Sequence, residues 1–202
     1  VRVSFKVTNR KGLLQNLEDN EADLLLMGQP PDSQELEAET FLINPLVIIA
    51  PSGHPLAGRK NIALPELSDS TFIMREMGSG TRNSVERFLA ERGIHLTVSM
   101  EMNTNEAIKQ GVEEGLGLGI VSIHTLEREL ESGRLLVLDV ESFPILRQWF
   151  IVKRAGKRLS SIANEFSEFV RHEAHDYVRN DIIVAAMGHK LADLRITPPT
   201  IP

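Results

Sequence analysis

The hydrophobic positions along the chain change period several times. In VRVSFKV (1–7) they alternate: Val1, Val3, Phe5 and Val7 fall on one face and Arg2, Ser4 and Lys6 on the other. That pattern predicts a strand buried on one side. Thr8 and Asn9 then offer caps, and Leu13, Leu14 and Leu17 mark one face of a short helix. DLLLMG (23–28) and LVIIA (46–50) are continuous apolar runs, as in strands covered on both faces. Strand, helix and buried strand in that order predict a parallel βαβ unit.

Further along, PPDSQELEAE (30–39) reads as a polar connection, and SGHPLAGRKNIALPEL (52–67) as a loop ending in a helical turn. TFIM (71–74), VSMEM (98–102), LGLGIV (116–121), LLVLDV (135–140) and QWFIV (148–152) read as strands. Val85, Phe88 and Leu89 share a helical face that stops at Gly93. NTNEAIKQGVEEG (103–115) predicts a helix with Asn103 and Glu106 in capping-box spacing. SIHTLERELESG (122–133) predicts another, with LERELE as its wet face. Ile162, Phe166, Phe169 and Val170 mark a further helix. Strands alternating with helices set the class as α/β. After about residue 176 the pattern weakens: DIIVAAMG fits a strand or a short helix, and the prolines of RITPPTIP exclude both.

Composition narrows the function classes. At 202 residues the chain can form one large or two small domains with a sizeable core. A formal net charge of -6 makes it a poor binder of nucleic acid through its overall field. There is no cysteine, so disulfide and thiolate chemistry are excluded. No apolar run approaches the ~18 residues of a membrane span. No signal peptide is visible, and Val1 points to a segment upstream.

REMGSGTR (75–82) is the stretch with the most candidate chemistry. Ser79 as a nucleophile fails on spacing, because the esterase elbow needs G-x-S-x-G and here the glycines are adjacent to the serine. An anion cradle is the other functional reading. Backbone N–H groups at a helix start have no intrahelical partner, and the helix dipole adds about half a positive charge there. Gly78 and Gly80 allow close approach, Ser79 and Thr81 supply hydroxyls, and Arg75 and Arg82 supply charge. Against this stands a plain capped helix with solvated arginines, and the local pattern leaves the two level. Thr8 with Asn9, and Asn103, Thr104 and Asn105, repeat the theme at other strand-to-helix junctions, each of which alone is only a cap. HEAH (172–175) spaces its histidines i, i+3 rather than the i, i+4 of a zinc protease and reads as a solvated helix end. GLGLG (115–119) follows a helix and enters a strand, the reverse of a dinucleotide site, and reads as a helix stop with a close-packed strand start.

Several segments in order resemble the effector-binding domain of LysR-type transcriptional regulators, over about residues 1 to 172. They are NRKGLLQNLEDNEADLLLMGQPP (9–31), IIAPSGHPLAG (48–58), FIMREMGSGTRNSVERFL (72–89), NTNEAIKQGVEEGLGLGIVSIHTL (103–126) and GRLLVLDVESFPILRQWFIVKR (133–154). MGQPP, REMGSGTR and LRQWFIVKR are most similar to regulators of the Calvin-cycle (Rubisco) operon. The resemblance implies a periplasmic-binding-protein-like (type II) fold: two Rossmann-like subdomains joined by two crossover strands. Subdomain I would comprise 1–74 and 148–202, leaving near Phe72–Arg75 and returning near Gln148–Val152, and subdomain II 75–147. The family's N-terminal winged helix-turn-helix, its linker helix and the first strand and helix of subdomain I are not in this sequence, so the chain is expected not to bind operator DNA by itself.

The resemblance further implies a cytoplasmic, non-catalytic domain that binds a small anionic effector between the subdomains. A sugar phosphate, a phosphoglycerate or NADPH would suit, with no other cofactor and no metal. Thr8, Asn9 and Arg10 would approach from subdomain I. Gly78, Ser79, Gly80, Thr81 and Arg82 would hold the anion from subdomain II, with Arg75 nearby and Asn103, Thr104 and Asn105 along the wall. A homodimer is expected, and a tetramer of the full-length protein. The alternatives are a solute-binding protein of the same fold and an enzyme built on it.

Overall fold

A computed structural model describes residues 3–178. Helix α1 (Arg10–Glu18) is followed by β1 (Leu25–Met27), β2 (Leu36–Ile43), β3 (Leu46–Pro51), β4 (Thr71–Arg75), α2 (Gly80–Ala90), β5 (Thr97–Met102) and α3 (Asn105–Glu113). Then come β6 (Leu118–Ser122), α4 (Glu127–Glu131), β7 (Leu135–Val137), β8 (Gln148–Arg154) and α5 (Ser161–Glu173). Two sheets result, one ordered β1-β8-β2 and the other β5-β4-β6-β3-β7. The first is antiparallel throughout. In the second, β4 runs parallel to β5 and β6, while β3 is antiparallel to β6 and β7.

The five-stranded sheet is buried on both faces, which is why β3 and β6 read as continuous apolar runs. Leu46, Ile48 and Ala50 join Phe72, Val85 and Leu89 on the α2 side. Val47 and Ile49 join Ile73, Ile108 and Val112 on the α3 side. Each large side chain so buried contributes about 1.5–3 kcal/mol. The three-stranded sheet sets Leu25, Met27, Phe150 and Val152 against Leu17 of α1. Its other face sets Phe41 and Ile151 against Val170 of α5.

Several sequence expectations change. Residues 3–7 form no strand; Val3, Phe5 and Val7 are exposed, because no neighbouring strand hydrogen-bonds to them. The expected parallel βαβ unit is therefore absent from the described residues, and β1 instead pairs antiparallel with β8. The expected polar connection contains β2, whose exposed acidic residues find partners: Glu37 pairs with Lys153 at 2.8 Å and Glu39 with Arg171 at 2.5 Å. The α3 N-cap is Thr104, whose hydroxyl accepts from the Ala107 amide, so Asn103 closes no capping box. LERELE is not wholly wet, since Glu129 is buried against the equally buried Lys109 of α3, 3.0 Å away. The strands β3 and β4 pair within the five-stranded sheet, so the chain passes from one sheet to the other at Asn44 and Pro45, upstream of Phe72–Arg75. DIIVAAMG and RITPPTIP lie outside the described residues.

Gly117 adopts φ 153°, and a Cβ there would lie 2.8 Å from the Thr71 carbonyl oxygen at the start of β4. Both facts confine this position to glycine. Gly117→Ala is expected to cost about 2–3 kcal/mol, read as a lower urea midpoint at unchanged slope.

Candidate functional site

The starts of α1, α2 and α3 differ in what their caps do. Asn9 accepts from the Gly12 amide at 3.1 Å and Thr104 from the Ala107 amide at 3.1 Å. Ser160 likewise caps α5, accepting from Ala163. Ser79 stands at the N-cap of α2 with extended backbone, yet its hydroxyl caps nothing. The residue is 2% exposed, and its hydroxyl makes no cap bond to the first turn of α2. Thr81 is 7% exposed and sits in the same first turn. The first α2 amide bonded in helical register is that of Asn83, to Ser79 O at 3.0 Å, which leaves those of Gly80, Thr81 and Arg82 with no acceptor. Gly78 enters the turn at φ 86°, where glycine is unstrained.

This open turn is where the two sheets' helices approach. A Cβ on Gly80 would lie 3.9 Å from Cδ of Arg10, the first residue of α1. The Nε of Arg10 donates to Gln29 O at 3.4 Å, just past the end of β1. Thr8 is exposed beside Gly12, and Asn103 is exposed. Arg75 and Arg82 stand at the same junction but are engaged. Arg75 donates to both carboxylate oxygens of Glu76, at 2.8 and 3.1 Å, and to Asn105 Oδ1 at 3.4 Å. Arg82 pairs with Glu86, donates to the Arg75 carbonyl at 3.1 Å and lies 3.5 Å from Glu101. Both therefore brace the turn at the end of β4.

The sequence reading missed Arg147, which precedes β8 where the chain returns to the first sheet. The two passages between sheets run side by side. The Asn44 amide donates to Arg147 O at 2.7 Å, and Leu46 and Ile145 exchange backbone bonds at 2.9 and 3.0 Å. The Asn44 side chain is fully buried. Its satisfied orientation donates to Ser122 Oγ and accepts from Trp149 Nε1 and from Arg147 Nε and Nη2, at 3.3 and 3.0 Å. The other end of the guanidinium lies near Gly28: a Cβ there would be 3.7 Å from Nη1. Burial, and then repulsion from Arg75, push the Arg147 pKa down to about 10. Nothing in the apolar patterning marks a lone arginine between two strands, so no sequence signal was available for it.

His124 closes the same crossing. Its Nε2 bonds to Ile43 O at 2.8 Å, which fixes the other nitrogen as the acceptor in the neutral ring. It also lines a separate cavity of about 430 Å³ against α3 and α4, together with Lys109, Thr125 and Glu129. HEAH lies on the surface, with His172 beside Glu168 and His175 beside Asp176. Among the described residues no three His, Cys, Asp or Glu side chains could hold a metal ion, and no helix is long and apolar enough to cross a membrane.

The family model of the LysR substrate binding domain matches residues 1–175. A RuBisCO operon transcriptional regulator of Allochromatium vinosum is 57% identical over 174 residues, covering 86% of this chain and 58% of that protein. The HTH-type transcriptional activator CmpR of Synechocystis is 43% identical over 176 residues, 87% of this chain and 57% of that protein. The chain thus spans rather more than half the length of such relatives. Among solved structures, the Synechocystis CcmR regulatory domain in complex with 2-PG superposes with a TM-score of 0.80 at 42% identity, covering 84% of this chain and 82% of that one. The effector-binding domain of QuiR in complex with shikimate shares the fold, with a TM-score of 0.74 at 19% identity over 84% and 80% of the two chains.

Burial, chiefly, and repulsion from Arg147 hold the His124 pKa below the ordinary histidine value, against the opposing bond to Ile43 O. The unfolded chain therefore takes up a proton below about pH 6.5 that the folded chain refuses. This contribution to stability is complete above that pH and is lost as pH falls towards the folded pKa. His54, also held low by burial, acts in the same direction. Urea titrations from about pH 7.5 to 5.5 are expected to show falling stability, and a shallower fall in His124→Gln, whose amide still reaches Ile43. Equal slopes would exclude the assignment.

Proposed function

Because the chain belongs to the LysR substrate binding domain family, we propose that it is the effector-sensing part of a transcription regulator of carbon-fixation genes, and that its effector is a small phosphorylated acid of the 2-phosphoglycolate class. The observation that carries this reading is the uncapped first turn of α2. The buried residues Ser79 and Thr81 and three amides with no acceptor among the described residues stand together at the positive end of an 11-residue helix. That is a site for a compact anion. The bound 2-PG of the CcmR regulatory domain, 42% identical to this chain, supports the ligand class.

The neighbouring groups fit the same role. Arg10 reaches the turn from α1, and Arg75 and Arg82, spent on Glu76, Glu86 and Glu101, hold it in shape. Asn9 and Thr104 are spent on their own helices, so their part is to fix the ends of α1 and α3 at the cleft. Thr8, Asn103 and Asn105 line its rim. The domain senses and does not turn over its ligand; in the full-length cytoplasmic protein, a helix-turn-helix region contacts DNA and the regulatory domains associate as dimers. Effector binding favours one arrangement of the two sheets over another, by no more than its differential affinity for them.

The double substitution Ser79→Ala, Thr81→Val removes both hydroxyls without touching a helix-stabilising cap bond. Affinity for 2-phosphoglycolate, measured by calorimetry, is expected to fall about tenfold or more, given roughly 1.5–3 kcal/mol for a hydrogen bond to a charged group. The melting temperature of the free protein should stay put while the rise induced by ligand shrinks. An unchanged affinity would remove the α2 turn from the site.

A further inference from the structure

Resting on the reading of the α2 turn as an anion site, we infer that Arg147 is a second anchor, holding a carboxylate of the effector a few atoms from the phosphate seated on α2. The cleft thereby selects a phosphorylated carboxylic acid over a phosphate ester that lacks the acid group.

Burial without an ion pair sets this arginine apart. Arg59, Arg75, Arg82, Arg134 and Arg171 each have a carboxylate within 4.0 Å. Among the described residues Arg147 has none, and it is the one whose pKa burial depresses most. A shielded guanidinium without a counter-ion raises the local affinity for an anion, because the desolvation cost is already met in the free protein.

Its orientation is fixed as well. Nε and Nη2 donate to the side-chain oxygen of Asn44, which also accepts from Trp149, while the Asn44 amide nitrogen donates to Ser122. The Nη1 end lies over Gly28, directly after β1, where no side chain blocks it. Arg10 links the two proposed anchors: its Cδ lies 3.9 Å from where a Cβ on Gly80 would stand in the α2 turn, and its Nε donates to Gln29 O, next to Gly28. That proximity suits two acidic groups on a short spine.

The two ends differ in what they accept. Several convergent amides and a hydroxyl at a helix start suit a tetrahedral phosphate. One free guanidinium edge suits a planar carboxylate.

Calorimetry with 2-phosphoglycolate and with ethyl phosphate, equal in length but lacking the carboxylate, tests the assignment. The unaltered protein is expected to prefer 2-phosphoglycolate by about tenfold or more. Arg147→Met should abolish that preference while changing ethyl phosphate affinity by less than about twofold, and Arg147→Lys should restore part of it. A preference that survives in Arg147→Met overturns the inference and leaves the α2 site standing. If Arg147→Met does not fold, the preference of the unaltered protein decides: equal affinity for the two probes overturns the inference. Binding of neither probe overturns both readings, whereas Ser79→Ala, Thr81→Val should weaken both probes together.

Discussion

The fold turns on one buried amide. Asn44 lies where the chain leaves the three-stranded sheet for the five-stranded one, with its side chain fully shielded. It links Ser122 of β6, Trp149 of β8 and Arg147 between them, while its backbone binds the Arg147 carbonyl. A buried polar group left without a partner costs about 1–3 kcal/mol, so any shift of one passage against the other must break several such bonds together. The Leu46–Ile145 exchange and the His124 bond to Ile43 add to the same knot. The two sheets are thereby free to differ in mutual angle only about a short, hydrogen-bonded waist, and whatever lies beside that waist feels any change in it. Arg147 lies there by construction.

The electrostatics follow from the same placement. The chain as a whole carries a net charge of -6, and Arg59, Arg75, Arg82, Arg134 and Arg171 are neutralised locally by glutamates. At the cleft this local neutralisation is uneven. Arg75 and Arg82 are matched, which makes them props for the α2 turn and limits what they add to a ligand's field. Arg10 and Arg147 have no carboxylate partner among the described residues, and both lie close to the strand end at Gly28 and Gln29. On the proposed reading, a positive cleft within an acidic protein would draw a small anion to one place while the overall field repels nucleic acid.

How much of this the sequence carried depends on the range of the interaction. Strands buried on both faces were legible because Leu46–Pro51 and Leu118–Ser122 are apolar throughout, and α2, α3 and α5 were legible from their periodic faces. The uncapped α2 turn was visible as a candidate, but glycine, serine and threonine before a helix look alike whether the hydroxyl caps or stands free. Only the position of Ser79 relative to the next amides tells the two apart. The sequence misled where pairing overrides pattern. Val3, Phe5 and Val7 alternate like a strand but have no strand beside them, while Glu37 and Glu39 read as loop yet sit in β2, paired with Lys153 of β8 and Arg171 of α5. Arg147 and Asn44 could not be read at all, because the partners of Asn44, the nearest of them Ser122 at 78 residues, are far away in sequence and belong to no motif.

The open cap also explains how a ligand could influence the arrangement of the sheets. A missing N-cap bond costs a helix about 0.5–2 kcal/mol, and α2 bears that cost while α1, α3 and α5 do not. An anion seated there completes the cap, so part of its binding energy goes into the first turn of α2. That turn is continuous, through Gly78 and the braced Arg75, with β4 and the five-stranded sheet. On the other side, Arg10 belongs to α1 and to the three-stranded sheet. A ligand shared between the α2 turn and groups on the far side is therefore a bond between the two sheets, present only when they stand at the right distance. Stabilisation of one arrangement is then a direct consequence of where the cap was left open, and its size is set by how much of the ligand's contact is lost when the sheets part.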